Sequence, residues 1–388
     1  MRHRRITNTK ASTSKGSIAI MTDTGSAPLT NELVLATLES VLEPATGRGL
    51  VELKLVPTVE VDGHNVRLAI DLLSPIISNR ERIERDVRAA LATLPEIEHV
   101  TIDWRNKVRA SGGGRSDAQP IEGVKNTIAV ASGKGGVGKS TVAVNLAISL
   151  ARAGASVGLL DADVYGPSIP LMMGIHEKPL MRDNKIVPLE AYGVKLMSIG
   201  FILDSQKALI WRGPLVAQLI NQFLNDVHWG NLDYLVVDLP PGTGDVQLTL
   251  VQKIPIAGAV IVTTPQAVAL ADAIKGLKMF QEVKTPILGI IENMSWFISP
   301  ETGTKFPIFG EGGGQRTAEE NGVELLGQVP IEMGIREGGD TGAPMVATHP
   351  DSETGQAFMH LAERVANQLA AQAIAKPRKP TIMLRTVR

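Results

Sequence analysis

The stretch that most restricts what this chain can fold into is Gly133–Ser140, GKGGVGKS, directly after the apolar run Thr127–Ala131. It fits the phosphate-loop pattern GxxxxGK[ST] and carries a second lysine, Lys134, right after the first glycine. Such a loop belongs between a buried strand and the start of a helix. There the glycines let the backbone take positive φ and approach phosphate oxygens closely. Successive N–H groups converge on an anion that the helix dipole also favours. Lys139 is placed to reach the β- and γ-phosphates, and the Ser140 hydroxyl to ligate Mg²⁺. Gly133, Lys134, Gly135, Gly136, Val137, Gly138, Lys139, Ser140 and Thr141 are therefore the candidate nucleotide-binding residues. A glycine-rich loop alone is often only a turn, but the complete pattern between a strand and a helix predicts binding of a nucleoside triphosphate.

The flanking sequence continues in the same sense. Val142, Leu146 and Leu150 keep helical spacing, and Gly154 is placed to cap that helix. Further short apolar runs follow. Ser156–Leu160 ends in Asp161-Ala-Asp163, and Tyr234–Val237 ends in Asp238, followed by Leu-Pro-Pro-Gly-Thr-Gly-Asp245. Gly258–Val262 precedes Thr263–Gln266, and Ile287–Ile291 precedes Glu292–Ser295. Continuous apolar strands alternating with helices predict an α/β fold with a mostly parallel sheet and helices on both faces. Polar motifs fall repeatedly just after a strand, which is where open α/β sheets bind ligands.

At 388 residues the chain has room for two domains. Its net charge of −1 and few aromatic residues leave no footprint for nucleic acid. No apolar run approaches the roughly 18 residues needed to span a bilayer, so no stable membrane association is expected. Residues 1–28 read as a polar tail, basic and free of acids up to Met21. An organellar transit peptide and an upstream start, with Met21 as the working one, are the other readings. The cytoplasm is the default compartment. Residues 29–105 read as a small α+β domain, with a helix over Leu33–Leu42, strand-like runs at Val51–Val56 and Val66–Leu72, a helix over Arg80–Leu94 and a strand at Val100–Trp104. Residues 106–124 read as a flexible linker, 125–372 as the nucleotide-binding domain and 373–388 as a basic tail. That tail lacks a sustained amphipathic face and is expected to be solvated rather than membrane-bound.

Taken together, GKGGVGKS, LDADVYGPS (160–168), WRGP (211–214), DLPPGTGD (238–245), TTPQ (263–266), ENMS (292–295), FGEGGG (309–314) and GDTGAP (339–344) resemble the Mrp/ApbC iron–sulfur carrier ATPases. That family is a branch of the deviant-Walker class that includes MinD, ParA and the nitrogenase iron protein. The resemblance runs from Lys125 to about Ser352, and residues 29–105 resemble the small iron–sulfur assembly domain that often precedes it. It implies a homodimeric ATPase of slow turnover using ATP and Mg²⁺, with iron–sulfur donor or acceptor proteins as partners. Lys134 would cross the dimer seam to the partner's phosphates, much as an arginine finger does, while Lys139 acts within its own subunit. Asp163 would orient the attacking water, with Asp161 supporting the metal shell. Asp238 would hold Mg²⁺ together with Ser140. Pro240, Pro241, Gly242, Thr243, Gly244 and Asp245 would form the γ-phosphate switch, to which Asp161 also belongs. Asn293 is the candidate for reading adenine, because an amide both donates and accepts; a turn former is its other reading, as a turn cap is for the two aspartates.

One departure matters as much as the match. Family members that carry clusters place a Cys-x-x-Cys pair after ENMS, whereas here Ser299 and Thr302 occupy both positions and the chain has no cysteine at all. Hydroxyls are poor ligands for iron–sulfur clusters, which need soft thiolates or occasionally imidazole. The turn of the small domain that often carries a further cysteine reads Leu73-Ser-Pro-Ile-Ile77. The resemblance implies an iron–sulfur cluster as cargo, but its ligands are absent. Two other readings stand beside that of a carrier: a positioning ATPase like MinD or ParA, and an ATP-gated scaffold without a cluster.

Overall fold

The computed structural model describes residues 28–112, 119–202 and 213–375, with no side-chain description for 213–217. The expected tails before Pro28 and after Ala375, and Trp211 and Arg212 of the WRGP motif, lie outside the described residues. The first unit comprises α1 (Asn31–Thr37), β1 (Thr58–Asp62), β2 (Asn65–Leu72), α2 (Ile77–Leu91) and β3 (His99–Asn106). β1 and β2 form a hairpin, and β3 adds to β2 in parallel. The apolar alternation at Val51–Val56 is not a strand: the segment turns, with Lys54 at φ 56°, and sends Leu50, Leu53 and Leu55 into the core of this unit. Burial of those leucines satisfies the alternation as well as a sheet face does.

The second unit begins with β4 (Val124–Ser132), α3 (Lys139–Arg152), β5 (Val157–Asp161), α4 (Ile169–Met172), β6 (Leu180–Arg182), β7 (Lys185–Val187), β8 (Leu189–Ala191) and β9 (Val194–Ser198). It continues through α5 (Gly213–Asn225), β10 (Leu232–Asp238), α6 (Asp245–Lys253), β11 (Ile256–Thr263), α7 (Ala267–Glu282), β12 (Ile287–Ile298) and β13 (Lys305–Phe306). α8 (Gly313–Glu320), β14 (Leu325–Ile331), α9 (Met333–Thr341), α10 (Met345–Thr348) and α11 (Glu353–Ala375) complete it. The sheet runs β13-β12-β11-β4-β10-β5-β9-β8, with β14 also on β12. Every pairing from β12 to β9 is parallel, and β8 and β13 close the ends antiparallel. The central strands β4, β5, β10 and β11 are buried almost throughout, as a sheet covered on both faces requires. α3 and α11 pack on one face through Leu146, Leu150, Phe358 and Leu361; α5 and α7 cover the other through Ile220, Phe223, Leu277 and Phe280.

β12 runs further than its apolar stretch predicts. The ENMS residues, expected in a turn after the strand, lie inside it, at a point where its register with β14 shifts and Met294 takes φ 59°. The expected linker is packed at both described ends. Val108, Ser111 and Ile121 are buried, and the Asn126 amide donates to the Arg109 carbonyl (3.0 Å) while its oxygen accepts from Ser111 N (2.9 Å). The first unit also rests on α11: Ser78 donates to Glu363 (2.8 Å), Asn79 to Asn367 (2.7 Å), and Ala370 joins its core. Among the described residues no helix is long and apolar enough to cross a membrane.

Candidate nucleotide site

The pairing register lines up a row of polar ends at the carboxyl edge of the sheet. Ser198 of β9 stands beside Asp161 of β5, which stands beside Asp238 of β10, which stands beside Val130 of β4. The phosphate loop leaves β4 two residues later and ends at Gly138, the left-handed N-cap of α3 (φ 81°). Two of its glycines are fixed by close approach. A Cβ on Gly138 would lie 2.1 Å from the Asn293 amide nitrogen, and one on Gly133 would lie 2.1 Å from the Asp272 carbonyl of α7. The loop is thereby clamped from two sides, with its middle, Gly135 and Gly136, exposed.

Lys139, on the first turn of α3, is buried and reaches down to the row: its ammonium lies 2.6 Å from Asp238 Oδ1 and 3.4 Å from Asp163 Oδ2. Ser140 donates to the other oxygen of Asp238 (2.5 Å). Burial raises the Asp238 carboxyl above the ordinary carboxylate range, and the nearby Asp163 charge adds to it, against the pull of Lys139 and Ser140. Asp163 itself is buried and accepts from Tyr165 N (3.2 Å). Lys134, by contrast, is half-buried, and its ammonium has no ion-pair partner among the described residues. Its carbonyl accepts from the Ser132 hydroxyl (2.9 Å), and the Ser132 carbonyl accepts from Gly242 N (3.0 Å). That bond ties the segment Pro240–Asp245 to the loop; Thr243, Gly244 and Asp245 of the segment are exposed and Gly242 takes φ 97°.

Asp161, expected to support the metal shell, lies one strand-end away from Lys139 and Ser140, beside Asp238. It is fully buried, and both its oxygens are taken by the protein: Oδ1 by Asp163 N (3.1 Å), and Oδ2 by the Ser198 hydroxyl (2.8 Å) and, at 3.4 Å, Ile169 N. Burial first, and then the charge of Asp238, push its carboxyl up to about 7. Its evident work is to hold the turn that carries Asp163.

Asn293 is likewise partly committed. Its amide donates to the Val137 carbonyl (2.9 Å), bracing the phosphate loop from beneath. It also faces a cavity of about 390 Å³ that opens beside Gly138 and Thr141. Leu171, Met172, Ile331 and Ile335 give that cavity apolar walls, with Glu332 and Arg336 among its polar lining. Val137 engages one N–H of the amide, and among the described residues the second N–H and Oδ1 have no hydrogen-bond partner.

A neighbouring residue escaped the sequence reading. Glu292 is buried and accepts from Ser295 Oγ (2.8 Å), Gln328 Nε2 (2.7 Å) and Gly314 N (2.6 Å). This network fixes the irregular turn of β12 that aims Asn293 at the loop. It also explains FGEGGG: a Cβ on Gly314 would meet Glu292 Oε2 at 2.6 Å. A Glu three residues before a Ser at the end of an apolar run is all that the sequence offers there, and it does not reveal the donors.

A parallel sheet with this loop at its centre narrows the fold class, and comparison with known proteins decides within it. Residues 123–366 match the family model described as NUBPL iron-transfer P-loop NTPase, and residues 31–104 match that of an iron–sulfur cluster assembly protein. The chain belongs to the iron-transfer P-loop NTPase family. A protein of Synechocystis named iron–sulfur cluster carrier protein is 46% identical over 355 residues, covering 89% of this chain and 99% of its own. The Arabidopsis thaliana iron–sulfur protein required for NADH dehydrogenase, mitochondrial, is 52% identical over 262 residues, covering 67% of this chain and 84% of its own. The solved nucleotide-binding protein from Archaeoglobus fulgidus in complex with ADP superimposes with a TM-score of 0.55 at 40% identity, over 61% of this chain and 93% of that one.

For a member of the iron-transfer family, the hairpin after ENMS is the telling difference. β12 and β13 pair at Phe297–Phe306 and Ile298–Lys305, and the tip between them closes on itself. Gly303 N donates to the Ser299 carbonyl (2.8 Å), with Gly303 at φ 69°. The Thr302 hydroxyl donates to Thr304 Oγ1 (2.8 Å) and accepts from Thr304 N (3.2 Å). Neutral hydroxyls held within a turn do not fit an iron–sulfur cluster, so the hairpin has no ligand set for the cargo.

Proposed function

We propose that this chain is an ATP-hydrolysing switch of the iron–sulfur carrier type, working as a homodimer alongside proteins that themselves supply the cluster's thiolates. The observation that carries the reading is the junction of Lys139, Ser140 and Asp238 beneath a clamped phosphate loop, beside a cavity sized for a nucleoside base. The N-terminus of α3 and the loop N–H groups receive the β-phosphate. Lys139 exchanges its buried carboxylate for phosphate oxygens when nucleotide enters. The base lies in the cavity, with Asn293 Oδ1 accepting from the 6-amino group of adenine, a position at which guanine carries an oxygen acceptor.

The residues at the junction suit Mg²⁺: a hydroxyl and a carboxylate, both hard oxygen donors, stand 2.5 Å apart around one point. Ser140 and Asp238 would hold the ion, which neutralises charge on the phosphates when bound. Asp163 accepts a hydrogen bond from the attacking water and orients it. Lys134, whose ammonium has no ion-pair partner among the described residues, extends to the phosphates of the second subunit. Pro240–Asp245 follows the γ-phosphate through the Gly242–Ser132 bond, so its loss on hydrolysis frees the segment. Such a centre positions water for a switch rather than for metabolic flux, and turnover is slow.

Anaerobic transfer of a preloaded cluster between a donor and an apo-acceptor protein tests this function. The chain with Mg-ATP accelerates transfer and remains colourless after repurification. Equal rates with and without the chain, at full nucleotide occupancy, leave the ATP-gated scaffold in its place.

A further inference from the structure

Ser198 lies on the far side of Asp161 from the phosphate loop, on a strand to which the preceding chemistry assigns nothing. It is fully buried at the end of β9 and in register with Asp161. Its hydroxyl donates to Asp161 Oδ2 (2.8 Å) and accepts from Gly200 N (2.9 Å), so its orientation is set from both sides. Gly200 in turn packs on the turn that carries Asp163: a Cβ there would lie 3.1 Å from Pro167 Cβ.

The three donors to Asp161 are unequal. Two are backbone N–H groups, of Asp163 and Ile169, from the very turn that Asp161 organises. Among the described residues Ser198 is the donor from outside that turn, and the one short contact on Oδ2; Ile169 N stands off at 3.4 Å. Without the hydroxyl, the carboxylate has no anchor outside the segment it is meant to hold, and it is free to turn about its own χ angles. The turn then carries Asp163 with it. Misplacement of a water-orienting group by a fraction of an ångström to an ångström costs up to about 100-fold in rate, while the loop N–H groups and Lys139 that bind nucleotide stay in place.

We infer that Ser198 is a positioning residue for hydrolysis, acting through Asp161 on Asp163 without touching nucleotide. This rests on the reading of Asp163 as the group that orients water. Three substitutions separate the effects. Ser198→Ala removes the hydroxyl. Ser198→Cys keeps the volume but donates weakly, which guards against a cavity being the cause. Ser198→Thr keeps the hydroxyl.

The experiment measures steady-state ATP turnover and the affinity for a fluorescent ATP analogue in full-length protein, with Asp163→Asn and Asp161→Asn alongside. Ser198→Ala and Ser198→Cys lower kcat roughly tenfold or more, KM and analogue affinity stay within about threefold, and Ser198→Thr regains most of the rate. Adding Ser198→Ala to Asp161→Asn costs nothing further, because both act through one contact. Turnover within twofold of the parent in Ser198→Cys, affinity falling in step with kcat, or losses that add in the double variant overturn the inference. If Asp163→Asn itself turns over normally, the water-orienting reading fails with it. Loss in Asp163→Asn with none in Ser198→Cys leaves that reading standing and removes Ser198 alone.

Discussion

The phosphate loop and the tip of the β12–β13 hairpin both follow the carboxyl end of a parallel strand, yet they are built in opposite ways. Around the loop, side chains from β5, β10, β12 and α3 converge, and one buried lysine and the carboxylates around it are joined in a single hydrogen-bonded network. At the tip, among the described residues, Ser299 and Thr302 bond only within their own turn, and the residues from Pro300 to Phe306 are exposed. A centre held by the whole sheet cannot change one residue without cost elsewhere. A tip held by itself can exchange two cysteines for two hydroxyls and leave the sheet as it was. Family membership is therefore written in the loop, and the manner of handling cargo in the tip.

Lys139→Ala gives the largest break in that contrast. It strands the Asp238 carboxylate and removes the phosphate contact, so nucleotide affinity and turnover both fall, by roughly 1,000-fold in kcat/KM, read by equilibrium binding and phosphate release. Lys134→Ala lowers kcat by about 100-fold while the affinity of the isolated subunit for ATP stays within about threefold; equal losses of affinity in the two lysine variants contradict action across a dimer. Gly138→Ala places a methyl against Asn293 at positive φ and lowers stability by about 2 kcal/mol, read as a shift in denaturation midpoint.

At the tip the same logic runs in reverse. The combined change Ser299→Cys and Thr302→Cys restores two thiolates to an exposed hairpin, and the protein acquires a visible absorbance band on anaerobic reconstitution with iron and sulfide. Its ATP affinity stays within about twofold, since surface changes away from buried networks act weakly. A coloured parent, or a colourless double variant, breaks the contrast.

The smallest effect is on pH. The Asp161 carboxyl holds its proton to about 7, against an ordinary 3.8. Between those values the folded chain binds a proton that the unfolded chain has released, so stability is fully present below the lower value and falls as pH rises through the upper one. Asp238 shifts in the same direction. Thermal midpoints of the nucleotide-free protein decline from pH 5 to pH 8 by a few degrees, about what 1–2 kcal/mol produces, and Asp161→Asn flattens the decline.

The strands on either side of the loop were readable because a sheet buried on both faces writes itself as unbroken apolar runs, as in Tyr234–Val237 and Gly258–Val262. Lys139, Ser140 and Asp238 were readable because phosphate chemistry fixes residue type and spacing together. Roles that depend on who donates to whom left no such trace. Nothing in the sequence shows that the oxygens of Asp161 accept from Asp163 N and Ser198. Nor does anything in the sequence around Asn293 show that one of its amide N–H groups braces the Val137 carbonyl. Glu292 looks like a strand-end acid, and its three donors come from residues up to 36 positions away. Val51–Val56 misled for a simpler reason: alternation reports burial, and a turn can bury every second residue as well as a strand.

The self-closed tip has one more consequence, in redox terms. A carrier whose thiolates hold the cluster shares the cluster's vulnerability, because a displaced thiolate climbs the oxidation ladder through sulfenic acid or pairs into a disulfide. Ser299 and Thr302 have no such ladder, and a chain without cysteine presents no thiol to an oxidant. ATP turnover of this protein is therefore expected to be insensitive to thiol-modifying reagents.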